Sequence, residues 1–246
     1  MEAINFTNVY LTYDEIEALK DFCLSVAPGE FITVVGSSGS GKTTALKLIN
    51  GLLKCSRGSV TVFGKNVGLM TQKEIIKFRR NIGYVIQGIG LFPHMTVLKN
   101  LTYVLDLEKN DKKASLARAK ELINLVDMDE EILFRHPREL SGGQRQRVGI
   151  ARALAANPQI LLMDEPFGAV DEITRKGLQK AISEIHKKLK PTIFFITHDI
   201  DEALMLGDRV LVLQNGVINQ CDRPEELLRN PATEFVSGLL GHRYSK

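Results

Sequence analysis

Phe31-Ile32-Thr33-Val34-Val35-Gly36-Ser37-Ser38-Gly39-Ser40-Gly41-Lys42-Thr43-Thr44 passes from an unbroken β-rich apolar run into a glycine loop. The run predicts a central strand buried on both faces. Ala45, Ile49, Leu52 and Leu53 follow at helical spacing, so a helix begins where the loop ends. Gly36 to Thr43 fits G-x-x-x-x-G-K-[ST] between that strand and that helix, the setting in which this pattern binds phosphate. The glycines let backbone N–H groups along Gly36, Ser37, Ser38, Gly39, Ser40 and Gly41 converge on phosphate oxygens. The positive end of the helix dipole adds to the attraction. Lys42 would bridge the β- and γ-phosphates, Thr43 would hold Mg²⁺ and Thr44 would donate to the α-phosphate. The loop alone does not say which nucleotide it takes.

Two further stretches narrow the reading. Ile160-Leu161-Leu162-Met163-Asp164-Glu165 places an Asp at the carboxyl end of an apolar strand, where open α/β sheets present ligand groups. Asp164 would bind Mg²⁺ directly or through water. Glu165 is a second carboxylate suited to orient and deprotonate an attacking water, and the pair favours ATP hydrolysis over single-carboxylate GTPase chemistry. Leu140-Ser141-Gly142-Gly143-Gln144 opens a helix expected from Arg145 to Ala155. Its N-terminus presents free backbone donors. A monomer with one phosphate loop has no use for this second anion site, but in a head-to-tail dimer it would close over the γ-phosphate held by the other copy. Taken alone the stretch is a Ser-capped helix.

Around these motifs, residues 3 to 10 and 22 to 26 read as strands of a peripheral sheet, and Ser59 to Phe63 and Ile82 to Ile86 as further strands. From about Pro93 to Ala156 strand signals vanish, while Leu116, Ala119, Leu122, Ile123 and Val126 mark an amphipathic helix. A helical subdomain of 93–156 is therefore expected inside an α/β core of 1–92 and 157–240, with a short tail 241–246, all in one domain. A helix with Leu178, Ala181, Ile182, Ile185 and Leu189 on one face stops at Pro191. Thr192 to Thr197 is a buried strand, Asp199 to Leu206 a short helix, and Pro224 to Arg229 another. Arg209 to Gln214 and Val217 to Gln220 form a hairpin around Asn215-Gly216, both of which tolerate positive φ.

Composition sets limits on function. A 44% hydrophobic content is ample for a packed core. The longest apolar stretches are far shorter than the roughly 20 residues of a membrane span, so the chain is not expected to cross a bilayer. Met1-Glu2 leads into a strand pattern with no basic start and apolar core, so no secretion signal is expected. Cys23, Cys55 and Cys221 are odd in number and widely spaced, and read as reduced cytosolic thiols. With 32 Lys and Arg scattered against 29 Asp and Glu, nucleic acid is not expected as the main partner. Lys187-Lys188 and Glu108 to Lys113 read as solvated helix ends and turns.

With these motifs in this order, the sequence resembles the ATP-binding cassette (ABC) transporter ATPases, whose signature is the pentapeptide at 140–144. The resemblance spans roughly residues 3 to 240. It implies an α/β fold: a P-loop NTPase core with a peripheral antiparallel β-subdomain and an inserted α-helical subdomain. It implies ATP and Mg²⁺ as cofactors and an ATP-induced head-to-tail homodimer. It also implies transmembrane permease subunits and, through them, an extracytoplasmic substrate-binding protein, with the chain at the cytoplasmic face of the membrane. Tyr13 matches the aromatic that stacks on adenine, and Gln87 the glutamine that contacts Mg²⁺ and senses the membrane partner. Ala169-Val170-Asp171 matches the loop that crosses the dimer, and His198 the switch histidine at the γ-phosphate. Taken singly, Tyr13 reads as a strand aromatic and His198 as a structural histidine.

Tyr84 to Val97 and Phe167 to Arg175 further resemble importers of quaternary-amine osmoprotectants such as glycine betaine, choline and carnitine. Gly88, where that group often has a second Gln, and Val170, where Leu is usual, depart from it. A C-terminal regulatory domain, common in that group, is not expected in a chain of this length. The segment from Gln87 to about Leu101 would transmit closure to the permease; Phe92, Pro93 and Met95 are either part of that contact or subdomain core. The rival readings are a soluble cassette ATPase acting on chromosomes or ribosomes, and a cassette of another transport system, exporter or lipid carrier. Between Lys42 and Asp164 there are no sustained heptads of the kind a chromosomal type needs, and only one cassette is present.

Overall fold

The structure, a computed structural model, describes residues 1–88, 90–108, 111–168 and 170–241. In chain order the strands are β1 (Ile4–Tyr13), β2 (Ile16–Val26), β3 (Phe31–Val35), β4 (Arg57–Val62), β5 (Lys65–Asn66), β6 (Ile82–Val85), β7 (Ile160–Asp164), β8 (Thr192–Ile196), β9 (Arg209–Gln214) and β10 (Val217–Asp222). The helices are α1 (Lys42–Ile49), α2 (Gln72–Arg80), α3 (Val97–Leu107), α4 (Lys112–Leu125), α5 (Gly142–Ala153), α6 (Glu172–Leu189), α7 (Ile200–Leu206), α8 (Pro224–Arg229) and α9 (Glu234–Leu240). The chain divides into two compact units, Met1–Lys77 with Pro191–Lys246, and Phe78–Lys190.

In the first unit β1 pairs antiparallel with both β2 and β4, and β4 with β5. In β2 Leu19 is buried, and from Phe22 onward buried residues alternate with ones on the solvent side, the pattern of a one-sided antiparallel sheet. The strand starts at Ile16, six residues before the stretch expected from sequence, because a register shift against β1, with Asp21 at φ +43, interrupts the alternation between Leu19 and Phe22. β3 is buried along its whole length. It runs parallel to β8 on one side and β9 on the other, with Ile32 opposite Phe194 and Thr33 opposite Val210. The hairpin from β9 to β10 turns at Asn215 and Gly216, both at positive φ as their sequence requires. Val35, Ala203, Val210, Val212, Leu227, Val236 and Leu240 form one apolar cluster that seats α7, α8 and α9.

In the second unit β6 and β7 run parallel, Ile82 opposite Ile160 and Tyr84 opposite Leu162. Helices α3, α4 and α5 pack on one another through fully buried Leu101, Leu122, Ile123, Val148 and Ile150. Helix α3 begins inside a stretch read from sequence as a coupling segment, with Thr96 capping it and Val97, Leu101 and Leu105 recurring every four residues on its buried side. Asn100, fully buried, fixes the loop before it. Its Oδ1 accepts from Phe92 N–H at 2.8 Å, and its Nδ2 donates to the carbonyls of Phe92, Met95 and Thr96 at 3.1, 3.2 and 3.0 Å. Arg118 of α4 donates to the carbonyls of Leu154 and Ala155 and to Asn157, satisfying the end of α5. No described helix is long and apolar enough to cross a membrane.

Candidate functional site

In the first unit the loop between β3 and α1 is built to leave donors exposed. Gly36 and Gly41 sit at φ +155 and +101, and a Cβ on either would strike backbone: Leu213 O at 2.0 Å or Ala18 O at 2.6 Å. Lys42 is largely buried, and its Nζ donates to the carbonyls of Gly36 and Ser37, both at 2.8 Å, drawing the loop into a ring. Ser37, Ser38 and Gly39 are exposed at its rim, while Thr43 and Thr44 are half-buried on the first turn of α1. That helix has Gly41 as its N-cap, with no side-chain cap and no acidic residue in the first turn. Helices α3, α4, α5, α6, α7 and α9 are each capped by a side-chain oxygen. With no side chain occupying that end of α1, the donor set fits a chain of phosphates. Tyr13 ends β1 and is 44% exposed. His198 is exposed in the turn after β8. That turn is held by Thr197, whose hydroxyl donates to Glu202 at 2.6 Å and accepts from Asp199 N–H at 3.0 Å.

In the second unit Asp164 ends β7 almost wholly buried, and Glu165 follows at φ +46. A left-handed backbone at a residue with a Cβ costs on the order of 1–2 kcal/mol and marks a turn held by its surroundings. Gln87 Nε2 donates to Glu165 Oε2 at 3.1 Å, so the structure joins two of the sequence-predicted residues directly. Burial, and then the negative Asp164, push the Tyr84 phenol up to about 12, which keeps it protonated beside the carboxylate strand.

The pentapeptide folds as a capping box. Ser141 Oγ accepts from Gln144 N–H at 3.2 Å, and Gln144 Oε1 accepts from Ser141 N–H at 2.9 Å. A Cβ at Gly143 would lie 2.7 Å from Thr174 Cγ2, which places the start of α5 against the start of α6. There Asp171 caps α6, accepting from Thr174 N–H at 3.0 Å and its hydroxyl at 2.7 Å. The Thr174 amide and then its hydroxyl hold the Asp171 carboxyl below its ordinary value. Ser141, Gly143, Gln144 and Thr174 line a polar cavity of about 360 Å³ together with Asp127 and Arg147.

Ile89 and Ala169, within stretches matched to the family, and the tail 242–246 lie outside the described residues. Phe92 and Met95 are half-buried and Pro93 is exposed. Thr174, Tyr84 and Gln146 were not singled out from sequence. Thr174 stands three residues after a cap, a spacing that could have exposed it; the other two act across distances that no local pattern records.

A strand, an open glycine loop and an uncapped helix define a nucleotide-phosphate-binding α/β protein. The chain belongs to the ABC transporter family, whose profile matches residues 19–168. It is 49% identical over 225 residues to a glycine betaine/carnitine/choline transport ATP-binding protein of Bacillus subtilis, covering 92% of this chain and 58% of that one. It is 48% identical over 227 residues to an osmoprotectant import ATP-binding protein of Salmonella typhimurium, covering 92% and 59%. The chain thus spans about three-fifths of the length of these curated relatives. Among solved structures, a dimeric ATP-binding cassette in a post-hydrolysis state with ADP and Pi superposes with a TM-score of 0.84 at 34% identity, covering 90% of this chain and 98% of that one.

Proposed function

We propose that the chain is the ATP-hydrolysing, energy-coupling subunit of an importer for a small solute of the quaternary-amine osmoprotectant class. The observation that carries this reading is the loop of 36–43, with its ring closed by Lys42 and the amides of α1 left uncapped. The hydrogen bond from Gln87 to Glu165 supports it from the second unit. In this reading the loop amides, Lys42 and Thr44 hold the phosphates and Tyr13 the adenine, while the family pattern assigns Thr43, Gln87 and Asp164 to Mg²⁺. The metal would supply charge neutralisation at the γ-phosphoryl group. Glu165 would orient the attacking water and take its proton, and His198 would steady the γ-phosphate. Water adds to phosphorus, the bond to the ADP oxygen breaks, and ADP and inorganic phosphate leave. Ser141, Gly142, Gly143 and Gln144, with Asp171, would meet the nucleotide of a second copy in a head-to-tail pair.

The partners follow from the same reading: a membrane permease, an extracytoplasmic binding protein reached through it, and a place on the cytoplasmic face of the membrane. The cargo rests on the relatives' names and on the wording of residues 84–97 and 167–175, from which Gly88 and Val170 depart. The test is steady-state ATP hydrolysis by wild type and Glu165→Gln, with sizing in ATP and Mg²⁺. The variant is expected to lose about 100-fold or more of turnover while accumulating an ATP-dependent dimer. Near-normal turnover by the variant would refute the assignment.

A further inference from the structure

The turn that carries Glu165 is gripped from behind by the helix that begins at Ser141. Gln146 lies on α5 with 4% of its surface exposed, and its Nε2 donates to the carbonyl of Pro166, the residue after Glu165. The left-handed backbone of Glu165 persists only where neighbours over-determine it. Three bonds do so at successive points of one short turn. Gln87 holds the carboxylate, Gly168 N–H donates to the Glu165 carbonyl at 3.2 Å, and Gln146 holds the next peptide. A buried amide aimed at one backbone carbonyl fixes position in a way that an apolar side chain of the same size does not. Gln146 is five residues beyond Ser141 on one continuous helix, so the two move together.

We propose that Gln146 is a positioning residue that fixes the Glu165 turn to α5, so that seating a phosphate on the N-terminus of that helix and orienting the carboxylate are one event. The inference rests on the reading of the chain as an ATPase. Gln146 acts on the carboxylate through Pro166.

The test compares Gln146→Met, which keeps the bulk and removes the donor, with Val148→Ala, which removes fully buried packing from the same helix and keeps the donor. ATP hydrolysis by the full chain with Mg²⁺ is measured where circular dichroism shows both variants folded. Gln146→Met is expected to lose about 10- to 100-fold in kcat, with the KM for ATP within about twofold of wild type. Val148→Ala is expected to keep its kcat. Wild-type kcat in Gln146→Met, a parallel fall in Val148→Ala, or a change confined to KM would overturn the inference. A wild type that does not hydrolyse ATP at all would instead overturn the proposed function and this inference with it.

Discussion

Gly39 and Gly41 stand two residues apart in the same loop, both at positive φ, yet alanine should behave very differently at each. At Gly39 φ is +75 and a Cβ would meet nothing within 4 Å. The cost is conformational alone, about 1 kcal/mol for a residue with a Cβ in that region. At Gly41 φ is +101, and a Cβ would lie 2.6 Å from Ala18 O and 2.8 Å from Leu19 Cδ2. Backbone cannot swing aside as the end of a long side chain can. To a conformational cost of about 1–2 kcal/mol is added an overpacking cost of about 1–3 kcal/mol, so Gly41→Ala should lose about 2–5 kcal/mol. Urea unfolding of the nucleotide-free variants, followed by far-UV circular dichroism, reads the difference, with unchanged slopes confirming that the same surface is exposed. If Gly39→Ala cost as much as Gly41→Ala, the contact with Ala18 would not be what requires a glycine. The account of how the loop is shaped would then fail.

Two other perturbations probe places away from the loop. Asn100→Leu removes the acceptor of the Phe92 N–H and the side-chain donor to the carbonyls of Phe92, Met95 and Thr96, and should cost about 1–3 kcal/mol with loss of hydrogen-exchange protection at the Phe92 amide; retained protection would show that the network is dispensable. Burial pushes the Cys221 thiol up to about 11 from an ordinary 9.0, with the Arg209 guanidinium pulling the other way. Because the folded state holds this proton more tightly, the thiol's contribution to stability is fully present below pH 9 and is lost as pH rises through about 11. At pH 8 its thiolate fraction is smaller by about 100-fold than that of a thiol at the ordinary value. Alkylation followed by mass spectrometry should therefore label exposed Cys23 first and Cys221 last, and early labelling of Cys221 would contradict the burial argument.

Local chemistry explains what was readable from sequence. The phosphate loop, the Asn215-Gly216 turn and the caps at Ser141 and Asp171 depend on residues within a few positions of one another, so their spacing carries the geometry. The strand of 31–35 was readable because burial on both faces leaves an unbroken apolar run. Helix α2 was not: only Ile75 is fully buried on it, and Ile75, Ile76 and Phe78 are too few to establish a period. Helix α9 was missed because its seven residues are too few to establish a period, although Thr233 caps it. The same rule separates site residues. Gln87 entered the reading through family likeness and Glu165 through its place at the end of an apolar strand, but that the amide of one meets the carboxylate of the other is a tertiary fact. Gln146 and Arg152, which donates to the Gly90 carbonyl at 2.7 Å, reach backbone atoms distant in sequence, and no composition at those positions announces an acceptor.

The two glycine-opened helices solve the problem of a phosphate-facing N-terminus in opposite ways. Helix α1 has no side-chain cap, so it lacks the roughly 1 kcal/mol that a Ser or Asp cap confers, which in the proposed function a phosphate would supply. Helix α5 carries its own cap, a capping box that satisfies the N–H groups of Ser141 and Gln144. The box does not use the N–H groups of Gly142 and Gly143, which stand at the first two helical positions, where no intrahelical acceptor exists. A side chain at Gly143 would collide with Thr174, so the glycine that brings α5 against α6 also leaves the approach to those amides open. In the proposed pairing this division has a consequence for affinity. One helix carries no side-chain cap of its own and would take its own nucleotide's phosphate there. The other is complete by itself and contributes only the donors that a second copy's phosphate can reach, so closure is favoured by the ligand rather than by the protein alone.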